Sequence, residues 1–391
     1  MGKTNADRAP RRPADRVRGF TSVSLFTGAG GLDLGCEQAG FQSLAAVESN
    51  PIARQTLLAN SGRWLPGIRP ACLFSDMVEL DHDALLDAAG LDVGEVDLVH
   101  GGPPCTPFSK SGYWLAYKRA GADPKASLLD SYVDALRAIK PKAFLMENVY
   151  GLAYNNHNRP VLERFMAGVR DAGYSLDSKI LLAADYGVPQ LRQRLVCVGI
   201  RHDLLDGDVG GWEFPWPRAT HSGPHETRKG WDESLLPHAS AGEALAGLRE
   251  NPPEPEEVVS GTYAGDLRAV PAGDNYLCLT DRRGHPAPRF KWRSRYWSFL
   301  LKLHPDFPSP TIQGQPGPWV GPFHWESRRL RVAEVKRLMT FPDGYVVLGS
   351  RRDQQLQLGN AVPPKLGYVV ADALADELVR LGAVGTLAAA A

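Results

Sequence analysis

Between Thr21 and about Arg201, short apolar runs alternate with amphipathic stretches, and this alternation constrains the fold more than any other feature. The runs Val23–Phe26, Ser43–Val47, Ala71–Phe74, Val96–Val99, Ala143–Met146, Ser178–Leu182 and Leu195–Ile200 read as strands. Helical periodicity lies between them, as in Ser127–Ile139 and Val161–Ala172. Strands separated by helices have to cross over the sheet they join. The pattern therefore predicts an α/β domain built on a mainly parallel, helix-covered sheet.

The texture changes from about His202 to His324. That stretch holds 16 of the 31 prolines and six of the nine tryptophans and shows little periodicity, which predicts a second, irregular domain. Its charge is segregated. Residues 203–281 carry 15 acids and five bases, whereas residues 282–302 carry seven bases (Arg282, Arg283, Arg289, Lys291, Arg293, Arg295 and Lys302) and no acid. Phe290, Trp292, Tyr296 and Trp297 are interleaved with these bases. A basic run is often only a solvated face, but aromatic interleaving in a chain of zero net charge favours a nucleic-acid contact. Beyond Ser327, Leu330, Val332, Val335, Leu338 and Met339 share a helical face that stops at Pro342-Asp343-Gly344. A last helix is expected from Pro363-Pro364 to about Leu381, with Gly382 as its cap. Residues 1–19, with six bases against two acids, read as a disordered basic tail.

No apolar run approaches the roughly 20 residues a membrane span needs, and the start of the chain lacks a hydrophobic signal segment. The five cysteines are scattered and form no CxxC pair, which argues against disulfides or a zinc site and for a reducing cytoplasm.

Three features carry chemistry. The first is Gly101-Gly102-Pro103-Pro104-Cys105-Thr106-Pro107-Phe108-Ser109, which mounts one cysteine on a stiff loop after a strand. A nucleophile held at a fixed distance from its target needs such a mount; a Pro-rich turn with an inert buried thiol is the alternative. The second is the strand-to-helix turn Phe26-Thr27-Gly28-Ala29-Gly30-Gly31-Leu32. Its glycines let a ligand approach backbone N–H groups at a helix start, although the pattern is not the dinucleotide GxGxxG. Glu48 ends the next strand, where an acid can bind ribose hydroxyls, and Asp76 ends the third, where it could accept from an adenine amino group. Each acid could equally be a helix cap or lie in a solvated loop; together with the turn they describe a nucleoside across strand ends. The third is Glu147 after the strand Ala143–Met146, together with Arg192 and Arg194 before the strand Leu195–Ile200. Two residues apart, the arginines are expected to point to one face and so into one cleft with Glu147; a surface pair capping an edge is the alternative.

The motifs GAGG, GGPPCTPFS, ENV, QLRQR, RRLRVAEVKRLMTFPDGY and QLGNAVPP occur in that order, and their order and spacing resemble those of the C5-cytosine DNA methyltransferase family of bacterial restriction–modification type. The resemblance covers about residues 20–201 and 325–382. It implies a Rossmann-like catalytic sheet domain over 20–201 that binds S-adenosyl-L-methionine, and a target-recognition domain over 202–327. It also implies a helix and turn joining the two over 328–349, and a C-terminal helix over 350–391 returning to the catalytic domain. The cofactor set it implies is Phe26, Gly28, Ala29, Gly30, Gly31, Leu32, Glu48, Asp76 and Pro104, with Asn360 and Val362 near the methyl donor. In the reaction it implies, Cys105 adds to carbon 6 of a flipped cytosine and Glu147 binds N3. Arg194 holds the O2 carbonyl, and Arg192 supports it or the loop. Double-stranded DNA is the implied partner, gripped by Ser109, Arg282, Arg283, Arg289, Lys291, Arg293, Arg295 and Thr311; Thr311-Ile312 resembles a recurrent element of such recognition domains. A companion restriction endonuclease, a monomeric state and no metal complete the picture. Position 106 departs from it, being Thr where many relatives have Gln.

The residues disfavour two rivals. A tRNA-directed relative usually carries Cys-Phe-Thr in its variable region, and none occurs here. A zinc deaminase needs PCxxC, but position 108 is Phe. A non-catalytic DNA-binding regulator has no need to keep the cysteine, the glutamate and the arginines together. A nicotinamide enzyme is separable by which cofactor binds.

Overall fold

All seven expected strands form one sheet. The structure, a computed structural model, describes residues 19–104, 127–156, 158–207, 209–223, 232–248, 252–293, 296–385 and 387. In chain order the first layer runs β1 (Phe20–Leu25), α1 (Gly31–Ala39), β2 (Phe41–Val47), α2 (Pro51–Asn60), β3 (Leu73–Phe74), α3 (His82–Ala89) and β4 (Leu98–Gly101). It continues through α4 (Ser127–Ile139), β5 (Ala143–Val149), α5 (Gly151–Tyr154), α6 (Arg159–Asp171), β6 (Tyr174–Leu182), β7 (Gln190–Leu191) and β8 (Gln193–Arg201). The sheet order is β3-β2-β1-β4-β5-β8-β6. The first five strands are mutually parallel, and β8 runs antiparallel to both neighbours. The order turns back between β1 and β4, so a switch point opens at the carboxyl ends of those two strands. Ligands of open α/β sheets bind at such crevices.

Local sequence sets these elements. Asn50 caps α2 by accepting from the Ile52 and Ala53 N–H groups, with Pro51 in the first turn. Asp81 caps α3 in the same way, and Gly90 ends it at a positive φ of 70°. Alternate strand residues face opposite layers. Val23, Leu25, Val99, Phe144 and Met146 pack on α3, α4 and α6 through Leu85, Tyr132, Leu136 and Phe165. Phe20, Leu98, Leu145, Val196 and Val198 face Leu32 and Cys36 of α1 and the C-terminal helix.

Beyond His202 the chain does not leave this layer at once. The Trp212 indole donates to Glu377 (2.8 Å), and the Trp216 indole donates to Asp177 (2.7 Å), which lays this stretch over the sheet. Short elements follow: β9 (His221–Ser222), β10 (Leu236–Pro237), α7 (Ala241–Leu245) and α8 (Ala264–Ala269). A second core then gathers Val259, Leu267, Val270, Leu279, Leu300 and Phe323. Tyr263, Tyr276, Phe290, Phe299 and Trp319 join it as a ring cluster with centroids 5.2–5.8 Å apart, mostly edge to face. Aromatic burial thus supplies the cohesion that the short elements do not.

After β11 (Ser309–Pro310) come α9 (Val332–Leu338), α10 (Arg351–Asn360) and α11 (Pro364–Arg380). Helix α11 starts behind Pro363 as expected, and Gly382 follows it at φ 77°. It lies tightly on α1: a Cβ built on Gly35 would come within 2.4 Å of the Tyr368 nitrogen, so only glycine permits this approach. The single helix expected over 350–391 is instead two: Ser350 and Asp353 form a capping box at the start of α10, and the chain leaves the helix at Ala361 before α11 begins. Among the described residues no helix is long and apolar enough to cross a membrane.

Candidate active site

The carboxyl ends of the parallel strands set out the expected residues in spatial order. Asp76 follows β3, Glu48 follows β2, the turn Phe26–Gly31 follows β1, Gly102–Pro104 follow β4, and Glu147 lies near the end of β5. Strand β8 is antiparallel, so Arg194 at its start reaches the same edge. With strands about 4.8 Å apart, the run from β1 to β5 spans roughly 10 Å.

At one end of this edge, Glu147 is buried and forms an ion pair with Arg194, Nε to Oε1 2.7 Å. Its other oxygen faces Gly102, where a built Cβ would stand 3.1 Å away. The neighbouring Asn148 amide donates to the Pro103 carbonyl (3.2 Å). The end of β5 thus grips the start of the Pro-Pro loop, an anchoring role for Asn148 that the sequence did not reveal. Pro104 is exposed at the crevice, and the chain passes from it into Cys105. Cys105 and Ser109 lie outside the described residues, as does Arg295.

At the other end, the turn after β1 holds Phe26, Gly28 and Gly30 at positive φ (55°, 58° and 74°). Nothing lies within 4 Å of a Cβ built on Gly28, so that glycine faces open space. The Gly28 N–H donates to Glu48 Oε2 (2.6 Å) and the Asn50 N–H to Oε1 (2.7 Å). A carboxylate has about four acceptor sites, so Glu48 keeps capacity for a diol beside the turn. Asp76 is exposed, and its Oδ1 accepts from the Val78 N–H (2.7 Å). The open turn, the two acids and the helix N-terminus behind them fit an adenosine-type ligand.

Several expected cofactor residues serve the fold instead. The Ala29 side chain is fully buried, and its carbonyl accepts from the Tyr345 hydroxyl (2.7 Å). Leu32 points into the core, where it packs on Gly367. Gly31 is needed because any Cβ there would lie 2.2 Å from the Val362 carbonyl oxygen. That contact does bring Val362 to the turn, with Asn360 exposed just before it at the end of α10.

Two buried polar groups on this face were not singled out from the sequence. Asp33, in the first turn of α1, is 1% exposed, and its Oδ2 has no hydrogen-bond partner. Burial pushes its carboxyl up to about 7, against the lowering effect of the Ser24 and Ser43 hydroxyls. His100, opposite Ser24 in the sheet, is fully buried with both ring nitrogens unpartnered, and burial pushes it down to about 3.

The expectation that both arginines enter one cleft is corrected. Arg192 falls between β7 and β8, and the chain bends there, with its N–H donating to the Gln190 carbonyl (2.9 Å). The bend breaks the two-residue alternation. Arg192 is fully buried, and its guanidinium donates to the carbonyls of Ile312 (3.2 Å), Gly359 (2.9 Å) and Ala361 (2.8 Å). It ties the sheet domain to the second region and to the C-terminal block. Thr311 belongs to the same junction: β11 pairs with β7, and the half-buried Thr311 donates its hydroxyl to the Leu191 carbonyl (2.7 Å).

The basic stretch divides likewise. Arg283 pairs with Asp274 (2.8 Å) and Arg289 with Asp266 (2.9 Å), Lys302 is buried with its ammonium on the Val270 carbonyl, and Phe290 belongs to the ring cluster. Arg282 stacks over Trp292 with its guanidinium carbon 4.5 Å from the ring centre. Lys291 and Arg293 are exposed, as are the rings of Tyr296 and Trp297. Among the described residues no cluster of side chains could hold a metal ion.

Comparison with known proteins gives a consistent result. Residues 20–376 match the family model described as C-5 cytosine-specific DNA methylase. The Type II methyltransferase M.SacI of Streptomyces achromogenes is 48% identical over 93% of this chain and 95% of its own length. The Type II methyltransferase M1.HphI of Haemophilus parahaemolyticus is 32% identical over 91% and 86%. In fold, the chain resembles a DNA modification methyltransferase encoded within an Escherichia coli prophage, with TM-score 0.64 and 19% identity over 93% of this chain and 99% of that one. It also resembles the Dnmt2 methyltransferase of S. pombe, with TM-score 0.58 and 17% identity over 93% and 99%.

Proposed function

Since the chain belongs to the C-5 cytosine-specific DNA methylase family, and so is a DNA cytosine methyltransferase of the type II restriction–modification kind, we propose that it methylates carbon 5 of a flipped cytosine within one short duplex sequence, with S-adenosyl-L-methionine as donor. The observation that carries this reading is the single edge on which Glu48, the glycine turn, the Pro-Pro loop, Glu147 and Arg194 follow one another. When bound across the glycine turn, Glu48 and Asp76, S-adenosyl-L-methionine supplies an electrophilic methyl group.

The protein's own residues prepare the base to accept it. A cytosine stacked in a duplex is out of reach and must be turned into the crevice. The Cys105 thiolate adds to carbon 6, and the electron pair displaced in the ring makes carbon 5 nucleophilic. Glu147 shares a proton with N3, and the N3–H bond so formed relieves the charge developing in the ring. Arg194 holds the Glu147 carboxyl in place by its ion pair and faces the O2 carbonyl. After transfer, water takes the carbon-5 proton, and the C–H electron pair re-forms the carbon 5–carbon 6 double bond as the Cys105 thiolate leaves, restoring the aromatic ring and the free enzyme. Arg192 acts as a positioning residue through the backbone it clamps.

Of the basic stretch, Arg282, Lys291 and Arg293, with Trp292, Tyr296 and Trp297 beside them, form the DNA-facing set, since Arg283 and Arg289 are paired with local acids. The enzyme works as a monomer in the cytoplasm and protects host DNA from a companion endonuclease. Equilibrium binding tests the cofactor reading: S-adenosyl-L-methionine binds and NAD does not. Cys105→Ala tests the chemistry: methyl transfer disappears while donor binding persists. Loss of donor binding in that variant makes the cysteine structural.

A further inference from the structure

Both flanks of the glycine turn are held by one segment of chain remote in sequence. On one side, Val362 lies against Gly31. On the other, Tyr345, 1% exposed, sends its hydroxyl to the Ala29 carbonyl (2.7 Å). A Cβ on Gly30 would stand 2.8 Å from that hydroxyl, so the turn and the tyrosine fit closely. The residues after Tyr345 form no regular structure, yet side chains take up their backbone groups one by one. Asn60 of α2 brackets Val346, donating to its carbonyl (2.7 Å) and accepting from its N–H (2.9 Å). Thr56 of α2 accepts from the Leu348 N–H (3.0 Å). From α10, the Gln354 amide donates to Val347 (2.8 Å) and the Gln357 amide to Leu348 (2.8 Å). Helix α2 itself begins at Asn50, whose N–H binds Glu48.

We propose that Tyr345–Leu348 is a strap, moored on Asn60 and Thr56, through which Tyr345 acts as a positioning residue that holds the Phe26–Gly31 turn in its donor-binding shape. The inference rests on the reading that this turn receives S-adenosyl-L-methionine. Three residues of the turn sit at positive φ, including the non-glycine Phe26, so the turn needs an external hold to stay in one conformation. Removing the hydroxyl leaves the Ala29 carbonyl without its donor in a buried place. The turn then samples other shapes, and donor affinity falls by the fraction that remains competent.

Tyr345→Phe keeps the ring and its packing and removes only the bond. Titration calorimetry with S-adenosylhomocysteine is expected to show roughly tenfold weaker binding. The KM for the methyl donor rises in proportion, whereas the KM for unmethylated genomic DNA stays. Asn60→Ala, which loosens the mooring, weakens binding in the wild-type background and adds nothing in the Tyr345→Phe background, because both act through one bond. A merely structural tyrosine would lower the melting temperature and leave this split unmoved. Binding by Tyr345→Phe within about twofold of wild type, or losses that multiply in the double variant, overturns the strap. Failure of the wild type to bind S-adenosylhomocysteine overturns the cofactor reading instead.

Discussion

Asparagine in place of Asp33 keeps the size and hydrogen-bonding shape of the side chain and removes its ability to ionise. In the native protein the Asp33 carboxyl is held up to about 7 by burial, from an ordinary value of 3.8. The native state therefore keeps a proton that the unfolded chain releases above 3.8, and stability falls as pH rises from about 4 to about 7. Below that window no penalty exists; above it the penalty is complete. About three units at 1.36 kcal/mol each make it about 4 kcal/mol, of which about 2–3 kcal/mol accrues between pH 5 and pH 8. Urea unfolding of wild type and Asp33→Asn at both values isolates this contribution, since every other titrating group is common to the two proteins. The stability of the variant relative to wild type is expected to rise by about 2–3 kcal/mol from pH 5 to pH 8. A difference that does not change with pH would refute the assignment of a protonated carboxyl beneath the turn.

Arg194→Ala removes the partner of Glu147 and is expected to lower turnover by about two to three orders of magnitude with donor affinity retained; wild-type rates in a methyl-transfer assay would remove Arg194 from the pocket. Arg192→Ala leaves three buried carbonyls without donors and is expected to cost about 3–5 kcal/mol of stability. A urea midpoint equal to wild type contradicts the clamp. Gly31→Ala places a methyl 2.2 Å from the Val362 oxygen, so the C-terminal block must shift; donor binding weakens and the melting temperature drops, and calorimetry that finds neither argues against the contact. Exchange of residues 202–324 with those of a relative is expected to change the methylated sequence, and an unchanged site refutes the DNA-reading assignment.

The strands were legible because each is a short apolar run between polar turns, and the order of acids and glycines followed from where the runs end. The two arginines were not separable in the same way. Alternation predicts one face for Arg192 and Arg194 only if the strand is unbroken, and the bend at Arg192 turns it into the interior. The basic stretch read correctly as basic, but Asp266 and Asp274, which neutralise two of its members, lie several to more than twenty residues upstream. Asp33 looks in sequence like a helix-favouring acid in a first turn. Its perturbation comes from the sheet and helices that cover it, and these meet only in the folded chain. Tyr345 stood within a quoted motif with no role, because its partner Ala29 lies more than 300 residues away.

The central claim is tested most directly by bisulfite sequencing of genomic DNA from a host without C5 methylation that expresses either this chain or its Cys105→Ala form. Protected cytosines confined to one short motif, and absent with the variant, are the predicted result. Unprotected DNA from cells that hold soluble, donor-binding wild-type protein would contradict the account.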